Sequence, residues 1–214
     1  MRYLWLHGFA SGPSSSKGQF VRMRLREQGH ELLLPDLNQP AFFDLTISRM
    51  LSQIDGLVGD EEVILFGSSL GGFTAAHWAA SRPGRTRALV LLAPAFDLSA
   101  RWAARMKPSE LLRWEQAGRF AFDHYAHGHK EDLAYAFLAD ARGYEPYPLP
   151  SCPTLVVQGT RDDVVDPSLA QEFVRRMGPR ASLALVDEGH ELNADLPALW
   201  TRIDGFLQAL RPTP

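Results

Sequence analysis

With a single cysteine, Cys152, the chain has no possible internal disulfide, which suits a reducing compartment and leaves packing and hydrogen bonds to hold the fold. Nowhere do about 18 apolar residues run together, so no segment reads as a membrane-spanning helix. The opening MRYLWLHGF has too short an apolar run for the central region of a signal peptide, and a cytoplasmic location is the expectation. Blocks of lysine or arginine are missing and the formal net charge is only -3, which leaves no electrostatic footprint for nucleic acid or an acidic membrane face. Repeats, low-complexity tracts and linkers are absent too. What is present is 214 residues, 45% hydrophobic and 22% charged, the length and balance of one domain spanning 1–214 with a substantial core.

The apolar residues recur in a rhythm. Short runs at Tyr3 to Leu6, Glu31 to Leu34, Val63 to Phe66, Ala88 to Leu92, Thr154 to Val157 and Leu183 to Val186 are nearly continuous rather than alternating, the pattern of strands buried on both faces. Between them lie helical spacings. Ile47, Met50, Leu51 and Ile54 share one face; Leu169, Phe173 and Met177 share another, with Gly178 as the C-terminal stop; Leu196, Leu199, Ile203, Phe206 and Leu210 mark the last helix. Strand-helix alternation implies an α/β fold with a mostly parallel six-stranded sheet and helices on both sides. The stretch from about 97 to 150 breaks the rhythm. It is rich in aromatics and charge, contains helical stretches such as SELLRW and EDLAYAFLADA, and ends in the stiff EPYPLPSCP. A long insertion with helices of its own reads as a cap over a site, against the plainer alternative of a helical excursion packed on the sheet edge.

The run VILFGSSLGGF, residues 63 to 73, places a hydroxyl at the exit of a buried strand. Gly67, Ser69 and Gly71 form G-x-S-x-G, a strand-to-helix turn that holds its serine in a strained conformation. The two glycines are required because strand and helix backbones come too close for a side chain, and Ala75, Ala76, Ala79 and Ala80 keep the next helix thin. Ser69 occupies the central position; Ser68 serves the turn. A serine needs a base, and QGTRDDVVD after the fifth strand and VDEGHEL after the sixth supply a carboxylate and His190 in the order Ser, Asp, His. Parallel strands bring all their C-terminal ends to one rim, where these loops can meet. Asp162 is the favoured acid, with Asp163 its main rival and Asp97 a more distant one; Asp166, before Pro167, suits a helix cap instead.

His7 opens LHGFASGPSSSKG at the end of the first strand. An HG turn there would aim backbone N–H groups at the serine, so that Phe9 and Leu70 form an oxyanion hole through their main chains. An ordinary turn, or an anion site where SSSKG begins a helix, is the competing reading. A strand order 2-1-3-4-5-6 favours the first, because its switch point falls between the HG loop and Ser69. His7, Gly8, Phe42, Phe43, Phe96 and Trp102 are candidate pocket residues, each open to the simpler reading of core filling. His124, His127 and His129 cluster in the insertion, but no cysteine or carboxylate spacing completes a metal site, so no metal is expected. His30 and His77 read as surface or core residues.

On YLWLHGFASGPSSSKGQF, PDLNQP, LFGSSLGGF, GTRDDVV and EGHEL, the sequence resembles the α/β-hydrolase superfamily and, within it, the small bacterial esterases of the YqiA type. The resemblance covers most of the chain outside the insertion, and the stretch of roughly fifty residues after Asp97 looks expanded. It implies Ser69 as nucleophile, Asp162 as acid, His190 as base, and Phe9 and Leu70 in the oxyanion hole. A serine esterase without cofactor, acting on a small-molecule ester, is the expectation. A thioesterase or acyltransferase would use the same residues, and a hydrolase-fold binding protein without turnover is the alternative of another class.

Overall fold

Successive side chains of a strand leave on opposite faces, and in this chain both faces are apolar. Along Val63–Ser68, Val63 and Leu65 enter one buried cluster while Ile64 and Phe66 enter another; Leu4 and Leu6 part in the same way from Tyr3 and Trp5, and Leu89 and Leu91 from Ala88, Val90 and Leu92. Such strands need helices on both sides. The computed structural model, which describes residues 1–210, has them. In chain order the elements are β1 (Arg2–Leu6), α1 (Ser16–Glu27), β2 (Leu32–Leu33), α2 (Ile47–Val58), β3 (Val63–Ser68), α3 (Leu70–Ser81) and β4 (Thr86–Leu92). Then come α4 (Leu98–Arg105), α5 (Pro108–Ala117), β5 (Arg119–His124), β6 (His129–Ala134) and α6 (Ala136–Ala141). β7 (Thr154–Gly159), α7 (Pro167–Met177), β8 (Ala181–Val186) and α8 (Leu196–Ala209) complete the chain.

The main sheet runs β2-β1-β3-β4-β7-β8 with every neighbouring pair parallel, which is the expected 2-1-3-4-5-6 once β5 and β6 are counted apart as a separate hairpin. Buried residues of α2, α3 and α7 cover one face, and those of α1 and α8 the other. Two strand expectations change at the edges. β2 shrinks to two residues, paired only with Tyr3 and Leu4, and none of the residues of β8 is fully buried, because an edge strand has a neighbour on one side alone.

Between β4 and β7 the chain leaves the sheet. SELLRW is helical as expected, within α5, but EDLAYAFLADA is not one helix: its first four residues belong to β6, and only from Ala136 does a helix begin. The reason is the partner segment RFAFDH, whose Phe120 and Phe122 alternate with exposed Arg119, Ala121 and Asp123, the period of a strand; a four-residue turn with Gly128 at φ 73° returns the chain antiparallel. The excursion joins the core on the α3 side through Trp114 and Phe137, both with no exposed surface, and the Trp114 indole N–H donates to the Leu133 carbonyl at 2.9 Å. Among the described residues no helix is long and apolar enough to cross a membrane.

Candidate active site

The turn from β3 into α3 is packed backbone against backbone. A Cβ on Gly67 would stand 2.5 Å from the Gly71 carbonyl oxygen, and one on Gly71 only 2.1 Å from the Leu6 carbonyl oxygen. Both glycines of G-x-S-x-G are therefore steric requirements. Ser69 between them has φ 52° and ψ -114°, a conformation that costs a residue with a side chain on the order of 1–3 kcal/mol. The surroundings impose it: Ser69 N–H donates to the Leu92 carbonyl at 2.9 Å, and the Ser69 carbonyl accepts from Phe73 N–H and Ala95 N–H, both at 3.0 Å.

The loops after β7 and β8 arrive at the same rim. His190 Nε2 lies 3.0 Å from Ser69 Oγ, and His190 Nδ1 lies 2.8 Å from Asp162 Oδ2. With Nδ1–H donating to the carboxylate, Nε2 presents its lone pair to the serine hydroxyl. The Asp162 carboxylate is fully buried and every oxygen is engaged. Oδ2 also accepts from Gln158 Nε2 at 2.7 Å, while Oδ1 accepts from Val164 N–H at 2.9 Å and Val165 N–H at 2.8 Å. Burial alone would push this carboxyl up, but the bonds from His190, Val165 and Gln158 outweigh it and hold its pKa below the usual value. Of the rival carboxylates, Asp163 is exposed and Asp97 leads into α4, while Asp166 caps α7 as expected by accepting from Ser168 N–H at 2.8 Å.

The HG turn abuts the elbow: a Cβ on Gly8 would be 3.6 Å from Ser69 Cβ. The N–H groups of Phe9 and Leu70 donate to no group among the described residues. His7 is occupied at both ring nitrogens, with Nδ1–H donating to the Gly8 carbonyl at 2.8 Å and Nε2 accepting from Leu37 N–H at 2.9 Å, so it shapes the turn and has no nitrogen left for chemistry.

Ser69 and His190 open into a cavity of about 810 Å³. Of the candidate pocket residues His7, Gly8 and Trp102 line it, together with Phe9. Three other candidates do not. Phe96 has no exposed surface because it stacks on Phe173 of α7, with centroids 4.2 Å apart; Phe42 stands behind Phe9 at 5.3 Å; and Phe43 faces solvent beside a separate cleft that Phe42 also borders. Their places are taken by Leu98, Met106, Phe122, Tyr125 and Val164.

Several contributors escaped the sequence reading. Gly159 lets the two loops close, since a Cβ there would be 2.4 Å from the Glu188 carbonyl oxygen. Lys17, buried in the first turn of α1, donates from Nζ to the carbonyl of Glu191, the residue after His190; burial lowers its pKa against the opposing pull of Glu191, Glu188 and Asp162. Arg101 and Arg105 of α4 both donate to the Val164 carbonyl, tying the excursion to the loop that carries Asp162. Only the glycine was legible beforehand, as part of QGTRDD; a lone Lys or Arg carries no signal of the carbonyl it will meet.

A family model matches residues 2–203. The chain belongs to that family, UPF0227, described as an uncharacterised protein family. No curated protein matches the sequence. Solved structures resemble this UPF0227 chain along nearly its whole length. Mouse alpha/beta hydrolase domain-containing protein 10 matches with a TM-score of 0.78 at 21% identity, covering 98% of this chain and 90% of that one. A putative hydrolase from Agrobacterium vitis S4 matches with a TM-score of 0.79 at 22% identity (96% and 87% covered), and the monoacylglycerol lipase of Paleococcus ferrophilus with 0.76 at 15% (98% and 94%). At these identities the likeness is one of fold, and the fold is that of the α/β-hydrolases.

Proposed function

We propose that this UPF0227 protein is a serine hydrolase acting on carboxylic esters of modest size, with Ser69 as nucleophile, His190 as general base and acid, and Asp162 as the carboxylate that orients the imidazole. The observation that carries the reading is the unbroken chain of hydrogen bonds from Ser69 Oγ through both nitrogens of His190 to a buried, fully engaged Asp162, at the mouth of a cavity. The esterase and lipase named among the fold neighbours, Est1E from Butyrivibrio proteoclasticus and the Paleococcus lipase, are consistent with it.

In the first step Ser69 Oγ attacks the ester carbonyl as its proton passes to His190 Nε2. The carbonyl oxygen becomes an oxyanion and accepts from the N–H groups of Phe9 and Leu70, whose positions need no reorganisation during the reaction. Asp162 remains ionised and stabilises the imidazolium, which then gives its proton to the departing alcohol. Water, deprotonated by the same imidazole, cleaves the acyl-serine and restores the hydroxyl. The excursion between β4 and β7 acts as a cap: Trp102 and Phe122, together with Phe9, make a largely apolar wall for the acyl or alcohol group, and the cavity volume falls within the range for small ligands.

The test is a series of nitrophenyl esters and acyl thioesters of increasing chain length, run with the wild type, Ser69→Ala and His190→Ala. Turnover with a chain-length optimum in the wild type, lost in both variants, is expected. Turnover that survives in both would overturn the assignment, and thioesters strongly preferred over esters would move the substrate class.

A further inference from the structure

Away from Ser69, the turn of the β5–β6 hairpin gathers three imidazoles and a carboxylate. His124 ends β5 and pairs directly with His129 at the start of β6; His127 lies in the turn between them, and Glu131 is two residues further along β6, on the same face as His129. One ligand atom from each of His124, His127 and Glu131 lies within 4.8 Å of the others. The carboxylate was what the sequence reading lacked, and strand pairing supplies it.

The cluster is hydrogen-bonded within itself except at His124. Glu131 Oε1 meets His127 Nδ1 and also lies 3.2 Å from His129 Nε2. His129 Nδ1 donates to the His127 carbonyl oxygen at 3.0 Å. The His124 ring stacks on His127 with centroids 3.9 Å apart and planes 11° from parallel. His124 itself is 1% exposed, and neither of its ring nitrogens has a partner among the described residues. Buried imidazole nitrogens are rarely left idle.

We propose that His124, His127 and Glu131, with His129 as a fourth ligand, bind a divalent transition-metal ion of the Zn2+ type. Imidazole and carboxylate donors suit zinc, copper or nickel and select against magnesium and calcium, which take oxygen ligands. Tetrahedral ligands at about 2.0–2.1 Å from zinc stand roughly 3.3 Å from one another. Parallel rings 3.9 Å apart cannot both aim their in-plane lone pairs at one ion, so the exposed His127 side chain turns off its stack on His124 to bind. The His129 Nδ1–H bond to a main-chain carbonyl is the outer-sphere contact that orients a ligating imidazole. A cleft of about 360 Å³, lined by Asp36, Phe43, His127 and Glu131 among others, gives an ion access. The site would also reach the first cavity. Ala126, in the same turn, donates its N–H to the Ala10 carbonyl at 3.2 Å, and Tyr125 and Ala126 line the space in front of Ser69. Metal bound here clamps the tip of the excursion against the HG loop, without entering the serine chemistry.

The experiment is calorimetric titration of the chelator-stripped chain with zinc sulfate, in a His190→Ala background so that the imidazole next to Ser69 cannot compete. One Zn2+ per chain and a rise in Tm are expected, with no uptake of Mg2+. The variant His127→Ala/Glu131→Ala, changed at the hairpin surface and checked for fold by circular dichroism, should weaken binding by about a hundredfold or more. Histidine ring resonances followed during the titration of the unsubstituted hairpin give a second readout, since those of His124 and His127 must shift at one equivalent. Absence of stoichiometric binding, unchanged binding in the double variant, or shifts confined to other histidines would each overturn the proposal.

Discussion

The elbow around Ser69 and the excursion between β4 and β7 face each other across one cavity and are built on opposite plans. At the elbow and in the loops beside it, main chain packs on main chain: Gly67 against Gly71, Gly71 against Leu6, and, between the loops after β7 and β8, Gly159 against Glu188, with no room for one more carbon. The excursion is held by side chains. Phe9 meets Trp102 at 4.8 Å and Phe122 at 5.5 Å, Trp102 meets Phe137 at 4.8 Å, and two arginines of α4 reach the Val164 carbonyl. Backbone packing leaves a single geometry, such as the 3.0 Å between Ser69 Oγ and His190 Nε2; side-chain packing admits substitutions of similar volume at small cost.

That contrast predicts a split in how variants fail. The largest effect belongs to Ser69→Ala, expected to lower kcat by about a millionfold with the fold intact, as in serine hydrolases that lose their nucleophile. Asp162→Asn should cost about ten-thousandfold in kcat by permitting the wrong imidazole tautomer, while Asp163→Asn, at an exposed carboxylate, stays within about twofold; the reverse order would move the acid by one residue. Gly71→Ala drives a Cβ into the Leu6 backbone and should destabilise the protein by more than about 3 kcal/mol in urea unfolding. Trp102→Ala works on the other plan, with KM raised about tenfold and the chain-length optimum shifted while kcat changes less. A fall in kcat as deep as that of Asp162→Asn would erase the distinction between elbow and excursion.

The smallest effect lies at the junction of the two regions. His77 of α3 has Nε2 2.9 Å from the Glu145 carbonyl oxygen and its ring on Tyr144, and burial lowers its pKa to about 4. Because the folded pKa is below the unfolded one, the unfolded chain takes the proton first: stability is complete above the ordinary histidine value of about 6.5 and declines as pH falls toward 4. Thermal unfolding of His77→Gln beside the wild type should show this part of the pH slope gone. Identical slopes would mean the junction does not titrate.

The two plans also differ in how far the sequence discloses them. Backbone packing writes itself in glycines at fixed spacing and in continuous apolar runs, so the sheet order, the elbow and the loops bearing Asp162 and His190 were legible. The sequence reading favours Asp162 over Asp163 without the detail that sets them apart, the turn in which Asp162 Oδ1 accepts from Val164 and Val165 N–H beside an exposed Asp163. Side-chain packing leaves fainter marks. Phe96 reads like any loop aromatic until Phe173 is seen beneath it, and EDLAYAFLADA reads as a helix until RFAFDH pairs with its first half. The alternation in RFAFDH and the glycine of the following turn were the available signal, and helical spacing downstream masked it.

Activation of one serine by His190 is tested most directly by a fluorophosphonate followed by peptide mapping. The account expects a single adduct, at Ser69, abolished in Ser69→Ala and strongly slowed in His190→Ala. A correctly folded wild type that stays unlabelled, or that carries the adduct on another serine, would contradict it.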